Sequence, residues 1–156
     1  MTQEFDLAAY LPAVADVVGS IESILLLAVM VGPLLMLGFG LIYLLVPPKE
    51  ANYGLGFRCW WGMASLEAWQ FTQHIAGLIW SALGIVLTIV MSLICNSFPG
   101  MPPMDMVWAA VKCLIAELIL VGGACLAINI IVIRRFDRWG YRRDEEEFEE
   151  DDEAAV

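Results

Sequence analysis

The residues that could do chemistry are concentrated in residues 56–77, which read GFRCWWGMASLEAWQFTQHIAG. This stretch combines an arginine, a glutamate, two glutamines and the chain's single histidine with three tryptophans, between two strongly apolar segments. Arginine and carboxylate form strong charge-assisted hydrogen bonds, and guanidinium and indole groups suit the edge of a membrane. The sequence therefore favours a binding site here. It does not favour an enzyme, because no nucleophile–base pair or metal set accompanies these residues.

Within this stretch, Arg58 has two equally supported interpretations. It could pair with Glu67 and hold the connector on the following helix, or it could contact lipid phosphates as an anchor. His74 lies two turns after Glu67 on the same predicted helical face. A lone histidine is a poor metal site, so we expect an interfacial hydrogen-bonding role and predict no metal or cofactor.

Glu117 is the second candidate site, because it lies inside the third apolar segment. A carboxylate there is costly unless it is paired, protonated or facing a cavity. It could contact a peptide or an ion, or be a neutral acid hydrogen-bonded between helices. Lys112 is about 140° away round the helix, so it is a poor partner and could instead reach Glu22. An alternative function is a small transporter or channel subunit that uses Glu117 and Lys112.

Three long apolar segments must position these residues. The chain has 156 residues, is 60% hydrophobic and has a mean hydropathy of +0.75. We predict an all-α membrane protein with transmembrane helices at about residues 24–46, 70–95 and 106–133. The first alone extends about 34 Å, enough to cross a hydrocarbon core of about 30 Å. Pro33 predicts a kink within it.

Shorter signals define the helix ends and contacts. Residues 1–19 are acidic and amphipathic and could form an interfacial helix. Ser65 can cap the second helix. Two small-residue patterns, Gly77-x-x-x-Ser81 and Gly123-x-x-x-Ala127, predict close helix approaches. Cys95 and Cys113 should lie near the outer surface, so a bridge between them is one alternative to apolar packing.

Charge distribution predicts the orientation. Nine of the 18 acids lie in residues 144–156, which we expect to be a disordered tail, and the remaining nine nearly balance eight bases. Seven of the bases lie in the connector 47–64 and the basic juxtamembrane segment 134–143. Basic residues concentrate on the cytoplasmic side, so we expect the N-terminus outside, and the C-terminus and the motif, residues 52–77, inside.

The motif resembles the SdpI family of small bacterial membrane proteins. Its pattern, approximately G-[YF]-R-T-x-x-[ST]-[ML]-x-[NS]-x-x-x-W-x-x-[AT]-[HQ], aligns without a gap from Gly56 to Gln73. Cys59 stands where the family usually has threonine, and Gly62 where it has serine or threonine. The resemblance covers roughly residues 25–133 and includes the order span, motif, span, span.

The resemblance implies a non-enzymatic role in immunity to a secreted toxic peptide or in membrane signalling. It also implies multi-pass localisation in the bacterial cytoplasmic membrane. The expected partners are membrane lipids, a toxin peptide or cytoplasmic regulator, and further copies of the chain; no nucleic-acid partner is expected. The predicted ligand- or partner-binding residues are Asn52, Gly56, Phe57, Arg58, Met63, Glu67, Trp69, Gln73, His74 and Glu117.

Overall fold

Three long helices form the structure, a computed structural model that describes residues 7–51 and 54–143, with side chains from residue 19 onward. Helix α1 is Leu7–Leu45, α2 is Leu66–Cys95 and α3 is Pro103–Arg135; a short 3₁₀ turn, Trp61–Met63, precedes α2. Stretches of 27, 30 and 33 residues within them are long and apolar enough to cross a membrane. The predicted all-α membrane protein with three spans is confirmed.

The helix boundaries differ modestly from the predicted spans. Helix α2 begins after Ser65, whose hydroxyl accepts a hydrogen bond from the Ala68 N–H at 3.1 Å, as its capping role predicts. Helix α3 begins earlier than expected, with Pro103 in its first turn, where a missing N–H costs nothing.

Helix α1 shows no separate interfacial helix within its described residues, because its backbone runs unbroken from Leu7 through Gly19 and Pro33 to Leu45. A single glycine costs a helix only about 1 kcal/mol, so Gly19 is insufficient to end it. Residues 1–6 lie outside the described residues.

Small residues bring α1 and α2 into close contact. A Cβ atom built on Gly84 would lie 2.6 Å from the Leu37 backbone nitrogen, and one on Gly40 would lie 2.6 Å from Ser81 Oγ. One on Gly77 would lie 2.8 Å from Leu44 Cγ. The predicted Gly77–Ser81 notch is therefore confirmed. Gly123 has no such neighbour within 4 Å, so the second predicted notch is not used among the described residues.

The interior divides into two apolar clusters, one toward each end of the bundle. One cluster packs Phe98 and Met106 with Cys95 and Cys113, whose thiols are buried and free. The other packs Phe136 and Ile128 at the opposite end, where α2 begins and α1 and α3 end. We call this second end the motif end, because the motif connector folds onto it.

Candidate binding site at the motif end

Two side chains of α2 hold the connector against the bundle. The Gln73 amide accepts a hydrogen bond from the Phe57 N–H at 2.8 Å and donates one to the Phe57 carbonyl at 2.9 Å. The Trp69 indole donates to the Pro48 carbonyl at 2.8 Å. Both side chains are buried, so these bonds satisfy polar groups that water cannot reach.

Gly56 allows the connector to approach this closely. Its φ is +127°, in the region that favours glycine. A Cβ there would lie 2.6 Å from Trp69 Cη2 and 3.1 Å from Gln73 Oε1. The glycine at the start of the family pattern is therefore required by both conformation and space.

A second contact involves both residues that depart from the family pattern. The Gly62 N–H donates to the Cys59 sulfur at 3.3 Å, and a Cβ on Gly62 would lie 2.8 Å from that sulfur and 3.1 Å from Thr72 Cβ. The bulky sulfur and the missing side chain therefore fit each other. Burial raises the pKa of the Cys59 thiol, and the Gly62 N–H and Thr72 hydroxyl only partly oppose that shift.

The chain after α3 folds back onto the motif, which the sequence analysis did not foresee. Residues 136–142 form a tight loop, here called the post-α3 loop, with an isolated antiparallel bridge between Phe136 and Arg142. Asp137 Oδ1 accepts from the Trp139 and Tyr141 N–H groups at 2.8 Å each. The Gly140 N–H donates to the Asp137 carbonyl at 3.2 Å. An aspartate three residues before a glycine is a turn signal that could have predicted this loop.

The post-α3 loop is joined to the start of α2 by two polar contacts. The Ser65 hydroxyl donates to the Gly140 carbonyl at 2.9 Å, so it links the cap of α2 to the loop. Glu67 forms an ion pair with Arg142. A pair with Arg58 was one of two alternatives predicted for this region; the ion pair that the structure shows for Glu67 is with Arg142, 75 residues further along the chain. Phe136 completes the contact by packing edge-on against Phe71, with ring centroids 5.4 Å apart.

Exposed aromatic and basic side chains surround a groove between the 3₁₀ turn and the post-α3 loop. Trp60 is 79% exposed and Trp139 is 65% exposed, and the Arg138 guanidinium lies 5.2 Å from the Trp139 ring. These residues, with Met63 and Ala64, line a groove of about 420 Å³. We call it the motif groove. Its apolar walls and single guanidinium can bind an apolar side chain beside an anionic group.

The remaining predicted motif residues lie around this region. Arg58 is exposed, and its charge acts on Tyr43. His74 is also exposed and lines a smaller pocket of about 220 Å³ with Tyr43 and Lys49. Asn52 lies outside the described residues, as does the acidic tail 144–156.

Glu117 does not belong to this site. It lies against Gly32 of α1, roughly 18 Å along that helix from Leu44, which contacts the motif end. Its carboxyl group is buried, whereas the Lys112 side chain is exposed. Of the ten predicted residues, the structure places Gly56, Phe57, Trp69 and Gln73 in direct contact.

Three membrane-spanning helices with a polar connector clamped onto the second define a multi-pass helical membrane protein. The model of the SdpI/YfhL protein family matches residues 49–136, which is more than half of the chain, and the chain belongs to this family. The post-α3 loop beyond Phe136 lies outside the matched residues. No curated protein and no solved structure is detectably similar to the chain.

Proposed function

We propose that this chain is a non-enzymatic membrane protein that binds a peptide or protein at the motif end, either to resist a toxic peptide or to relay its presence. The observation that carries the proposal is that the residues of the motif fall into two groups, one buried in internal contacts and one exposed. Gly56, Trp69 and Gln73 are occupied by internal contacts, while Trp60 and Met63 are exposed and line the motif groove with Arg138. Exposed tryptophan and arginine are the residues that most often dominate protein binding surfaces.

The size and chemistry of the motif groove support a peptide ligand. Its volume of about 420 Å³ lies within the range of roughly 300–1,000 Å³ that is typical of ligand pockets. The Arg138 guanidinium that lines the groove would favour an acidic or carboxylate-bearing partner. Family membership supports a role in immunity or signalling, since the protein after which the family is named has both of these roles.

The test is protection of a sensitive bacterial host challenged with spent medium of the organism that carries this gene. We expect wild-type protein to protect, and Arg58→Ala and Trp60→Ala to lose protection while remaining in the membrane. Gln70→Ala is the matched control, because Gln70 is exposed on the first turns of α2 but outside the motif groove. Unchanged protection by Arg58→Ala at equal membrane levels would remove Arg58 from the site.

The proposed signalling role is tested with a regulator encoded by a neighbouring gene. If a regulator gene lies beside this one, its product should be retained at the membrane by wild-type protein and released by Trp60→Ala. Retention that is indifferent to both Trp60→Ala and Arg58→Ala would exclude the motif groove as its docking surface.

We also propose that the motif end faces the cytoplasm, on the grounds of its seven bases. Trp60→Cys in a Cys59→Ala background gives an exposed thiol at the motif end. A membrane-impermeant maleimide should label it only after the cells are permeabilised. Labelling of intact cells would reverse the orientation.

A further inference from the structure

Glu117 is a buried polar side chain that the motif does not explain. It is 6% exposed, and its Oε1 atom has no hydrogen-bond partner. A Cβ built on Gly32 would lie 2.6 Å from Glu117 Oε2, so the carboxyl group packs against bare helix backbone. An unpartnered carboxyl oxygen in the interior of a bundle requires an explanation.

The backbone that Glu117 contacts is unusual for a helix. Pro33 follows Gly32 directly and has no N–H, so the Val29 carbonyl, four residues earlier, lacks its usual intrahelical donor. Val29 and Pro33 are both fully buried. Gly32 is the midpoint of the membrane-spanning stretch Gly19–Leu45. The buried Glu117 carboxyl group contacts Gly32 deep in the span. The Val29 carbonyl, which lacks its helical donor, lies within one helical turn of that contact.

No cation compensates Glu117 within the described residues. Its titratable neighbours are two thiols, Cys113 on α3 and Cys95 on α2, and neither carries a positive charge in any protonation state. Lys112 is exposed on another face of α3. An ionised carboxylate in this position would be buried without a counter-charge, which is strongly unfavourable.

We propose that Glu117 and the α1 backbone at Gly32 and Pro33 form a proton-binding site inside the membrane, and that release of the proton loosens the contact between α1 and α3. In the packed bundle the protonated carboxyl group can donate to a backbone acceptor such as the Val29 carbonyl. A proton is the ligand that fits, because metal cations such as Ca²⁺ take six to eight oxygen ligands and this contact offers far fewer. This inference is independent of the function proposed for the motif groove.

The first test is thermal unfolding in mild detergent as a function of pH. Wild-type protein should lose thermal stability as the pH rises from about 6 to about 9, because high pH favours the ionised form of Glu117 and the packed bundle cannot accommodate a carboxylate there. Glu117→Gln, which keeps the shape and a donor but cannot ionise, should lack that loss. Glu67→Gln is the control and should retain the wild-type pH dependence, since Glu67 lies on the surface.

Parallel pH profiles for wild type and Glu117→Gln would overturn the proposal. Restoration of wild-type stability at high pH by sodium or calcium ions, but not by choline, would also overturn it in favour of a metal-cation site. The second test, described next, does not require the Glu117→Gln variant to fold.

The second test is labelling with dicyclohexylcarbodiimide, a lipophilic reagent that reacts with protonated carboxyl groups. We expect one adduct at Glu117, with a rate that falls severalfold or more as the pH is raised and the carboxyl group ionises. Gly32→Ala should change this rate several-fold, because the new methyl group displaces the carboxyl group. Gly38→Ala, on the same helix with nothing within 4 Å of its Cβ position, should not. Adducts at Glu22 or Glu67 without one at Glu117, or a rate at Glu117 that ignores pH, would refute the proton site.

Discussion

The connector clamp at the motif end and the Glu117 contact in the middle of the bundle differ in how their buried polar groups are paired. At the motif end, the Gln73 amide and the Trp69 indole are each matched to a backbone group of the connector. In the middle, Ser81 Oγ and Glu117 Oε1 are buried without a hydrogen-bond partner. Trp69 and Gln73 of the motif therefore have a structural role, because they hold the connector in place on α2. The Glu117 carboxyl group, by contrast, has an oxygen without a hydrogen-bond partner, so it is a candidate for a chemical role.

The comparison also separates two kinds of motif residue. Trp60 and Met63 are exposed and contribute little to the buried clamp, so their side chains are available to a partner. Gly56, Trp69 and Gln73 fix the backbone that presents them. Substitutions in the two groups should therefore differ in whether they damage stability or binding.

The largest effect is expected for Gln73→Leu. It removes both hydrogen bonds to Phe57 and leaves two partly buried backbone groups unpaired, at about 1–3 kcal/mol each. Thermal unfolding in detergent and protease cleavage of the connector measure the loss. Gln70→Leu, one turn away and exposed, should change both measurements little. Equal stability of the two variants would show that the clamp does not hold the connector.

A somewhat smaller loss is expected for Gly56→Ala, about 1–3 kcal/mol, because a positive φ and a clash with the Trp69 ring act together. Gly100→Ala is the matched control: Gly100 has a φ of +87° but no atom within 4 Å of its Cβ position. The difference in unfolding temperature between the two variants measures the cost of the clash between the added methyl group at position 56 and the Trp69 ring. If both variants lose the same stability, the Trp69 contact is not tight in solution.

The smallest effect is expected for Arg142→Gln. Its ion pair with Glu67 is partly exposed, so it should contribute less than about 1 kcal/mol and should weaken further in high salt. Arg134→Gln, which removes an exposed positive charge at the end of α3, is the control. Unfolding temperatures at low and high salt distinguish them. A loss at Arg142 that salt does not reduce would mean that its packing matters more than its charge.

Sequence alone predicted the three spans well because each requirement is local. Long uncharged segments specify membrane helices, and Ser65 specifies the start of α2 through a contact only three residues away. The Gly77–Ser81 notch was also readable, since small residues four apart share a helix face.

The contacts of the candidate site were not predictable in the same way. Gln73 is unremarkable in a helical pattern, and its role appears only when Gly56 turns the connector back onto α2. For Glu67, a pair with Arg58 was one of two alternatives that the sequence left open, and the ion pair with Arg142 comes from beyond α3. Such long-range pairings depend on how three helices are placed in space, which no local pattern encodes.

The post-α3 loop has a practical consequence for work on this protein. Gly140 has a φ of +85°, and a Cβ there would lie 2.6 Å from Ser65 Cβ, so the loop has little freedom to move without disturbing the cap of α2. Fluorescent proteins or affinity tags fused shortly after Arg143 would be tethered beside Trp139 and could obstruct the motif groove. A chain shortened to Phe136, where the family match ends, would lose the loop altogether. Reporters on the opposite terminus are therefore the safer choice for assays of partner recruitment.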